Sequence, residues 1–261
     1  MTHAFVRLLL AFAFVLVPVS AGIGATAAAR PLALMAAPAR LAFRGGGDAT
    51  VRIRNTGTKR VVVEAALAGF ALDLRGRPHV VARRRARSAA PWLRLRPARF
   101  TLAPHSVAHL HVTARLPRHV EPGDHDALVL LSTRPIERAR VAVRLRVGVV
   151  VLVRAPGTVV RRVRLGRLRV VRRRGKRTLE LIVANAGNVT ERLRVHAVLS
   201  RLSTRRHVMT AVAAPRDLHA RTRGLFEFRL RTPEHVAVIA RVVIPAAPGR
   251  PVVRRAYHLR L

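Results

Sequence analysis

The chain of 261 residues contains no cysteine. That excludes disulfides, thiolate catalysis and lipid attachment at an N-terminal Cys. Lysine is almost missing: of fifty basic residues only Lys59 and Lys176 are lysine, and the rest are arginine. Carboxylates are scarce, twelve in all, with Asp124 and Asp126 the closest pair, so acid–base hydrolysis by paired carboxylates has little to work with. Aromatics make up 4%. The basic stretch from Leu74 to Ala90 has none interleaved, which argues against base stacking and a nucleic-acid partner. No G-x-S-x-G, Walker or dinucleotide motif occurs, and the triple glycine Gly45–Gly47 lacks the Lys-Ser/Thr of a phosphate loop. Beyond residue 29 no apolar run is long enough to span a bilayer: Val147 to Val153 lies between Arg146 and Arg154.

Half the residues are apolar, enough for a packed core, and the length suits two small domains. Net charge is +38. Two readings compete, attraction to a polyanion and a GC-rich coding sequence; the second accounts for arginine over lysine and less well for basic over acidic residues. The excess predicts salt-sensitive adhesion to polyanions, including peripheral contact with anionic membranes. Residues 1–29 read as a secretory signal peptide: Arg7, the apolar run Leu8–Val17, a break at Pro18, and Ala-x-Ala sites ending at Ala27 and Ala29. The protein is therefore expected to be exported, to the cell surface, the periplasm or the medium.

Residues 91–133 set the grammar of the rest. Phe100-Thr101-Leu102 is a short apolar run closed by Ala103-Pro104-His105-Ser106. From Val107 to Leu116 the chain alternates, with Leu110, Val112 and Ala114 on one face and His109, His111 and Thr113 on the other. Pro117 ends that strand, Glu121-Pro122-Gly123-Asp124 predicts a turn, and Ala127–Leu131 is apolar enough for burial on both faces. Earlier, 49–54 and 60–67 predict a hairpin around Asn55-Thr56-Gly57-Thr58. Later, every odd position from Val141 to Val153 is aliphatic. The second half echoes the first: Asn185-Ala186-Gly187-Asn188 repeats Asn55-Thr56-Gly57-Thr58, and Leu218–Pro233 matches Leu102–Pro117 in length and pattern. With further strands expected near 159–164, 166–172, 178–184, 190–199, 206–213, 224–231, 236–244 and 251–260, the reading is all-β: two tandem immunoglobulin-like β-sandwiches, 30–150 and 151–261, after the signal peptide.

Trp92, the Phe100-Thr101-Leu102 run, Pro117 and the Pro122-Gly123-Asp124-His125 turn resemble the N-terminal domain of WxL-interacting proteins, a bacterial surface family. More distantly the chain resembles periplasmic pilus chaperones. The first resemblance implies a non-catalytic envelope binding or adhesion protein whose partner is peptidoglycan, another wall polymer or a surface protein. Its motif residues here are Trp92, Phe100, Leu102, Pro117, Pro122, Gly123, Asp124 and His125. WxL-interacting proteins usually end in a membrane-spanning helix, whereas 251–260 reads as a strand. The second resemblance implies an assembly protein whose strand 141–153 is lent to an incomplete subunit; the same row also reads as a core-facing strand.

Two further groups of residues carry candidate chemistry. Arg83, Arg84, Arg85 and Arg87, with Arg172, Arg173 and Arg174, form the densest basic tips and would contact a polyanion. His109 and His111, at i and i+2 on one strand face, have the spacing of zinc ligands, with His119, Asp124, His125 and Asp126 nearby. They are the only basis for a metal-dependent hydrolase. The expectation is no enzyme, no cofactor and no metal. Asn188-Val189-Thr190 fits a glycosylation sequon but reads as turn chemistry.

Overall fold

The structure is a computed structural model and describes residues 33–83, 87–133, 144–173, 175–231 and 236–261. The signal segment, Arg84, Arg85, Arg174, and the start of the aliphatic row at Val141 and Val143 lie outside them. The described residues form strands and one 3-10 turn, Ala90–Trp92. The first half contributes β1 (Leu34–Ala37), β2 (Arg40–Arg44), β3 (Gly47–Asn55), β4 (Val61–Leu72), β5 (Pro78–Val81), β6 (Leu93–Arg96), β7 (Arg99–Leu102), β8 (Val107–Ala114), β9 (Gly123–Thr133) and β10 (Arg146–Ala155). The second half contributes β11 (Val163–Arg173), β12 (Lys176–Asn185), β13 (Glu191–Leu193), β14 (His196–Arg201), β15 (His207–Val212), β16 (Arg216–Leu218), β17 (Arg223–Arg229), β18 (Ala237–Ile244) and β19 (Val253–Arg260).

In the first half one sheet runs β1-β3-β8-β6 and the facing one runs β2-β10-β9-β4-β5, with β7 also on β4. The alternation dictates which side chains meet between them. Val51, Ile53, Leu110 and Val112 point inward from one sheet, and Val63, Val129, Leu131, Val149 and Val151 from the other. The second half repeats the plan with β11-β12-β17 facing β15-β14-β18-β19, closed over Leu179, Leu181, Phe226, Phe228 and Val242. The two cores share no residue. The fold is two tandem immunoglobulin-like sandwiches, as the periodicity predicts.

Four expectations need correction. Residues 49–54 and 60–67 do not pair as a hairpin: β3 lies in the sheet with β1 and β8, and β4 lies in the facing sheet, so the Asn55-Thr56-Gly57-Thr58 turn crosses between sheets. The Gly123-Asp124 pair is no turn: β9 starts at Gly123 and pairs with β10 along its whole length, Gly123 opposite Ala155. Residues 151–155 lie in β10, paired with β9 of the first sandwich. The two strands expected at 159–164 and 166–172 are one strand, β11, with a register shift between Leu165 and Leu168 at Gly166. The segment 190–199 instead divides into β13 and β14, in different sheets.

The repeat has an atomic cause. Asn55 is fully buried. Its Nδ2 donates to the Lys59 and Ala103 carbonyls (2.8 and 3.0 Å), and its Oδ1 accepts the Gly57 N–H (3.0 Å). Asn185 does the same: Nδ2 to the Val189, Leu218 and His219 carbonyls (2.8, 2.9 and 3.1 Å), Oδ1 from the Gly187 N–H (3.0 Å). In each sandwich one side-chain amide satisfies carbonyls of two loops at once, a need that buried backbone imposes.

Candidate functional site

The aliphatic row of β10 divides by environment. Val149, Val151 and Val153 are fully buried in the first core, whereas Val147 is only partly covered. The backbone divides at the same place. β9 covers one edge of β10 throughout. On the other edge β2 pairs in parallel with Val150 to Arg154 only. The Val150 N–H donates to the Ala39 carbonyl, and the Arg154 carbonyl accepts from the Gly45 N–H, which fixes even-numbered residues as those facing β2. The peptide groups of Arg146 and Gly148 therefore point to the same edge, where no described strand pairs with them. β10 is a half-open edge strand with a β-branched residue at its tip.

Beside this edge, where the sandwiches meet, a cavity of about 390 Å³ is lined by Arg40, Phe70, Arg75, Val150, Arg192 and Arg216, among others. Asp217 accepts from Arg40 Nη1 at 2.6 Å and lies 3.5 Å from Arg192 Nη1. Burial pushes the Arg216 guanidinium down from its ordinary range, against the attraction of Asp73. It donates to the Leu74 and Leu225 carbonyls (3.0 and 3.2 Å), tying the β4–β5 loop to β17.

The joint between sandwiches is built on carboxylates. Arg75 reaches across to Glu227 (2.6 Å) and to Glu180 (3.0 Å), and Glu180, almost fully buried, also takes Arg169 through Nε and Nη2. Asp126 Oδ2 sits 2.9 Å from His219 Nδ1. Asp124 accepts Arg154 Nε and Nη2 (2.6 and 3.0 Å) from its own sandwich and the Thr190 N–H (2.6 Å) from the other. Burial by itself would raise the Asp124 carboxyl; the Arg154 and Thr190 hydrogen bonds outweigh it and hold it below the usual carboxylate range. Gly123 is required here: its φ is +110°, and a Cβ would fall 2.1 Å from the Asn188 carbonyl oxygen. Asn188, the sequon residue, is turn chemistry of a specific kind: its Nδ2 donates to the Pro122 and Thr158 carbonyls (3.1 and 2.8 Å).

The residues selected from sequence fall into three places. The family-like motif lies along the first core and at the joint. Trp92 packs on His125, ring centroids 4.5 Å apart, and His125 Nε2 meets the Glu121 carbonyl at 2.8 Å. Burial pushes His125 below its ordinary range. Leu102 is buried and Phe100 half-buried in the first core, Pro117 follows β8, and Pro122 abuts Asn188. The basic tips do not act as one group. Arg87 donates to the Asp124 and Asn188 carbonyls, so it serves the joint. Among the described residues Arg83 makes a long contact, 3.5 Å, to the Ala90 carbonyl. Arg172 is exposed beside a cavity of about 590 Å³ with Lys176, Arg177, Arg229 and Arg231, and Arg173 pairs in register with Lys176. The zinc reading fails on geometry. His109 and His111 are exposed opposite Arg52 and Thr50, whereas His125 is buried in the other sheet against Trp92. Among the described residues no cluster of three or more His, Asp or Glu side chains forms. The Arg75, Glu180 and His219 contacts went unread in the sequence, where single charges on unrelated strands give no signal.

No family model, that of WxL-interacting proteins included, and no curated protein matches the chain. Solved structures do. A chain of the chaperone–tip adhesin complex of CFA/I fimbriae biogenesis aligns at 10% identity and TM-score 0.51, covering 86% of this chain and 98% of that one. The class 5 fimbriae chaperone CfaA aligns at 10% and 0.48, over 86% and 98%. A chain of the Salmonella enterica SafA pilin–SafB chaperone complex aligns at 13% and 0.45, over 90% and 99%. At 10% identity and TM-score 0.51 the first likeness bears on the fold alone. Among the described residues no helix is long and apolar enough to cross a membrane.

Proposed function

We propose that the protein is an exported, non-catalytic assembly chaperone of the pilus-chaperone kind, which holds an incomplete β-sandwich subunit by adding the free half of β10 to it. The supporting observation is the division of β10. Val149, Val151 and Val153 complete the first core, which leaves the half-buried Leu145 and Val147 to enter a partner's core. Arg146 and Gly148 meanwhile offer unpaired peptide groups for strand addition. The basic cleft beside this edge adds charge for the same partner. The first structural neighbour belongs to a complex of a chaperone with a tip adhesin, which agrees with that partner class. A bound wall polymer has no comparable observation in its favour.

The test is co-purification with fimbrial subunits from the genome that encodes the chain. Arg146→Pro removes an edge N–H without touching the core, and is expected to leave the melting temperature within a few degrees of the parent while lowering subunit capture at least about tenfold. Val147→Asp should abolish capture. Val151→Asp serves as the core control and should unfold the first sandwich. Undiminished capture by Arg146→Pro and Val147→Asp, both folded, would overturn the reading.

A further inference from the structure

The sheet β1-β3-β8-β6 supplies none of the joint contacts described above, which come from β2, the β4–β5 loop and β9 of the facing sheet. Alternation sends Val51, Ile53, Leu93, Leu110 and Val112 inward, all at 0% exposure. Their neighbours point out: Arg52 and Arg54 on β3, His109 and His111 on β8, Arg94 and Arg96 on β6, every one exposed. The register stacks them. Arg52 lies opposite His109, Arg96 opposite His111, and Arg94 one step beyond. With strands about 5 Å apart, two arginine columns flank a histidine column within roughly 10 Å. Across the strands each arginine faces a histidine, a threonine or an apolar residue, and none faces a carboxylate. The one carboxylate on the face, Asp48, is engaged by the Thr113 hydroxyl.

The face also has an apolar border. Arg54 is flanked in register by Met35 and Val107, which are 56% and 44% exposed. A soluble polyanion would use the guanidinium groups and ignore that border. A lipid surface uses both: arginine forks on the phosphates and short apolar side chains at the acyl boundary. We propose that this sheet face docks the protein on an anionic lipid bilayer. The proposal stands whether or not β10 captures a subunit.

Net charge is the competing cause, and charge-matched variants separate the two. The whole chain is tested by flotation with vesicles of phosphatidylcholine alone or mixed with phosphatidylglycerol. Each arginine near an anionic surface is worth about fivefold in partitioning. Arg52→Gln/Arg54→Gln/Arg94→Gln/Arg96→Gln should therefore reduce binding to the mixed vesicles on the order of several hundredfold. The control, Arg164→Gln/Arg241→Gln/Arg254→Gln/Arg260→Gln, removes equal charge from exposed positions of the second sandwich and should reduce it less than about tenfold. Met35→Ser/Val107→Ser should weaken vesicle binding about threefold or more and leave binding to soluble polyphosphate unchanged. Equal losses in the two quadruple variants, with circular dichroism unchanged, would overturn the proposal in favour of net charge. A silent Met35→Ser/Val107→Ser variant would overturn it in favour of a soluble polyanion.

Discussion

Asn185→Ala is expected to destabilise the second sandwich by about 4 kcal/mol, from loss of the hydrogen bonds and desolvation of the groups left unpaired. The amide satisfies three carbonyls and one N–H that are buried among β12, the following turn and the β16–β17 loop. Alanine leaves those groups dry and unpaired. The melting temperature of that sandwich should fall by roughly 20 °C, since about 1 kcal/mol shifts a domain of this size by some 4–8 °C. Asn185→Asp should be worse, because a carboxylate turns an acceptor toward three carbonyl oxygens. Asn55→Ala should act likewise on the first sandwich, by about 3 kcal/mol, because its cage is less completely buried. Urea unfolding with separate transitions for the two sandwiches would read both. A loss under about 1 kcal/mol in either would mean that water replaces the amide.

The second large effect concerns the joint. Asp124→Ala removes the partner of Arg154 and the acceptor for the Thr190 N–H at a nearly dry position. The substitution costs about 2 kcal/mol, because the Thr190 N–H loses its acceptor while Arg154, 31% exposed, recovers water. The effect has a pH signature. The Asp124 carboxyl is depressed below 3.8 in the folded state. Its contribution is therefore complete above about pH 4 and is lost as pH falls through the lower folded value. His125 is also depressed, below 6.5: the folded state takes up fewer protons there than the unfolded chain, so stability falls as pH drops from 6.5 toward that folded value. The parent should lose stability in two stages on acidification. Asp124→Ala should lack the lower stage and Trp92 fluorescence should report the upper one, because the indole lies against His125. An acid profile of Asp124→Ala parallel to the parent's would refute the pairing.

The scarcity of acid acquires a meaning at this joint. Asp124, Asp126, Glu180, Asp217 and Glu227 each contact a group of the opposite sandwich. With carboxylates concentrated there, the outward sheet of the first sandwich is left almost purely basic. The same distribution produces both the joint and the proposed lipid-facing surface.

Much of the architecture follows from local pattern. Alternation from Val107 to Ala114 places Leu110, Val112 and Ala114 inside and the histidines outside, because successive side chains of an extended chain point to opposite faces. The repeat of Asn-x-Gly at residues 55 and 185 marks two copies of one sandwich. The odd-numbered aliphatic row marks β10 as a strand with one apolar face. These signals depend on near neighbours, and composition carries them. The tertiary structure alone decided the rest. Which half of the β10 row is core and which is free depends on where β2, over a hundred residues earlier, stops covering its edge. The Pro122-Gly123-Asp124 segment reads as a turn because proline and glycine favour one, yet pairing with β10 and the approach of Asn188 hold it as strand. The histidines suited to zinc by spacing are kept from other ligands by the sheet between them. Arg75 meets Glu180 only because the β4–β5 loop of one sandwich reaches β12 of the other. Side-chain period is local and survives in sequence; ion pairs and edge coverage join residues far apart along the chain, and only packing brings them together.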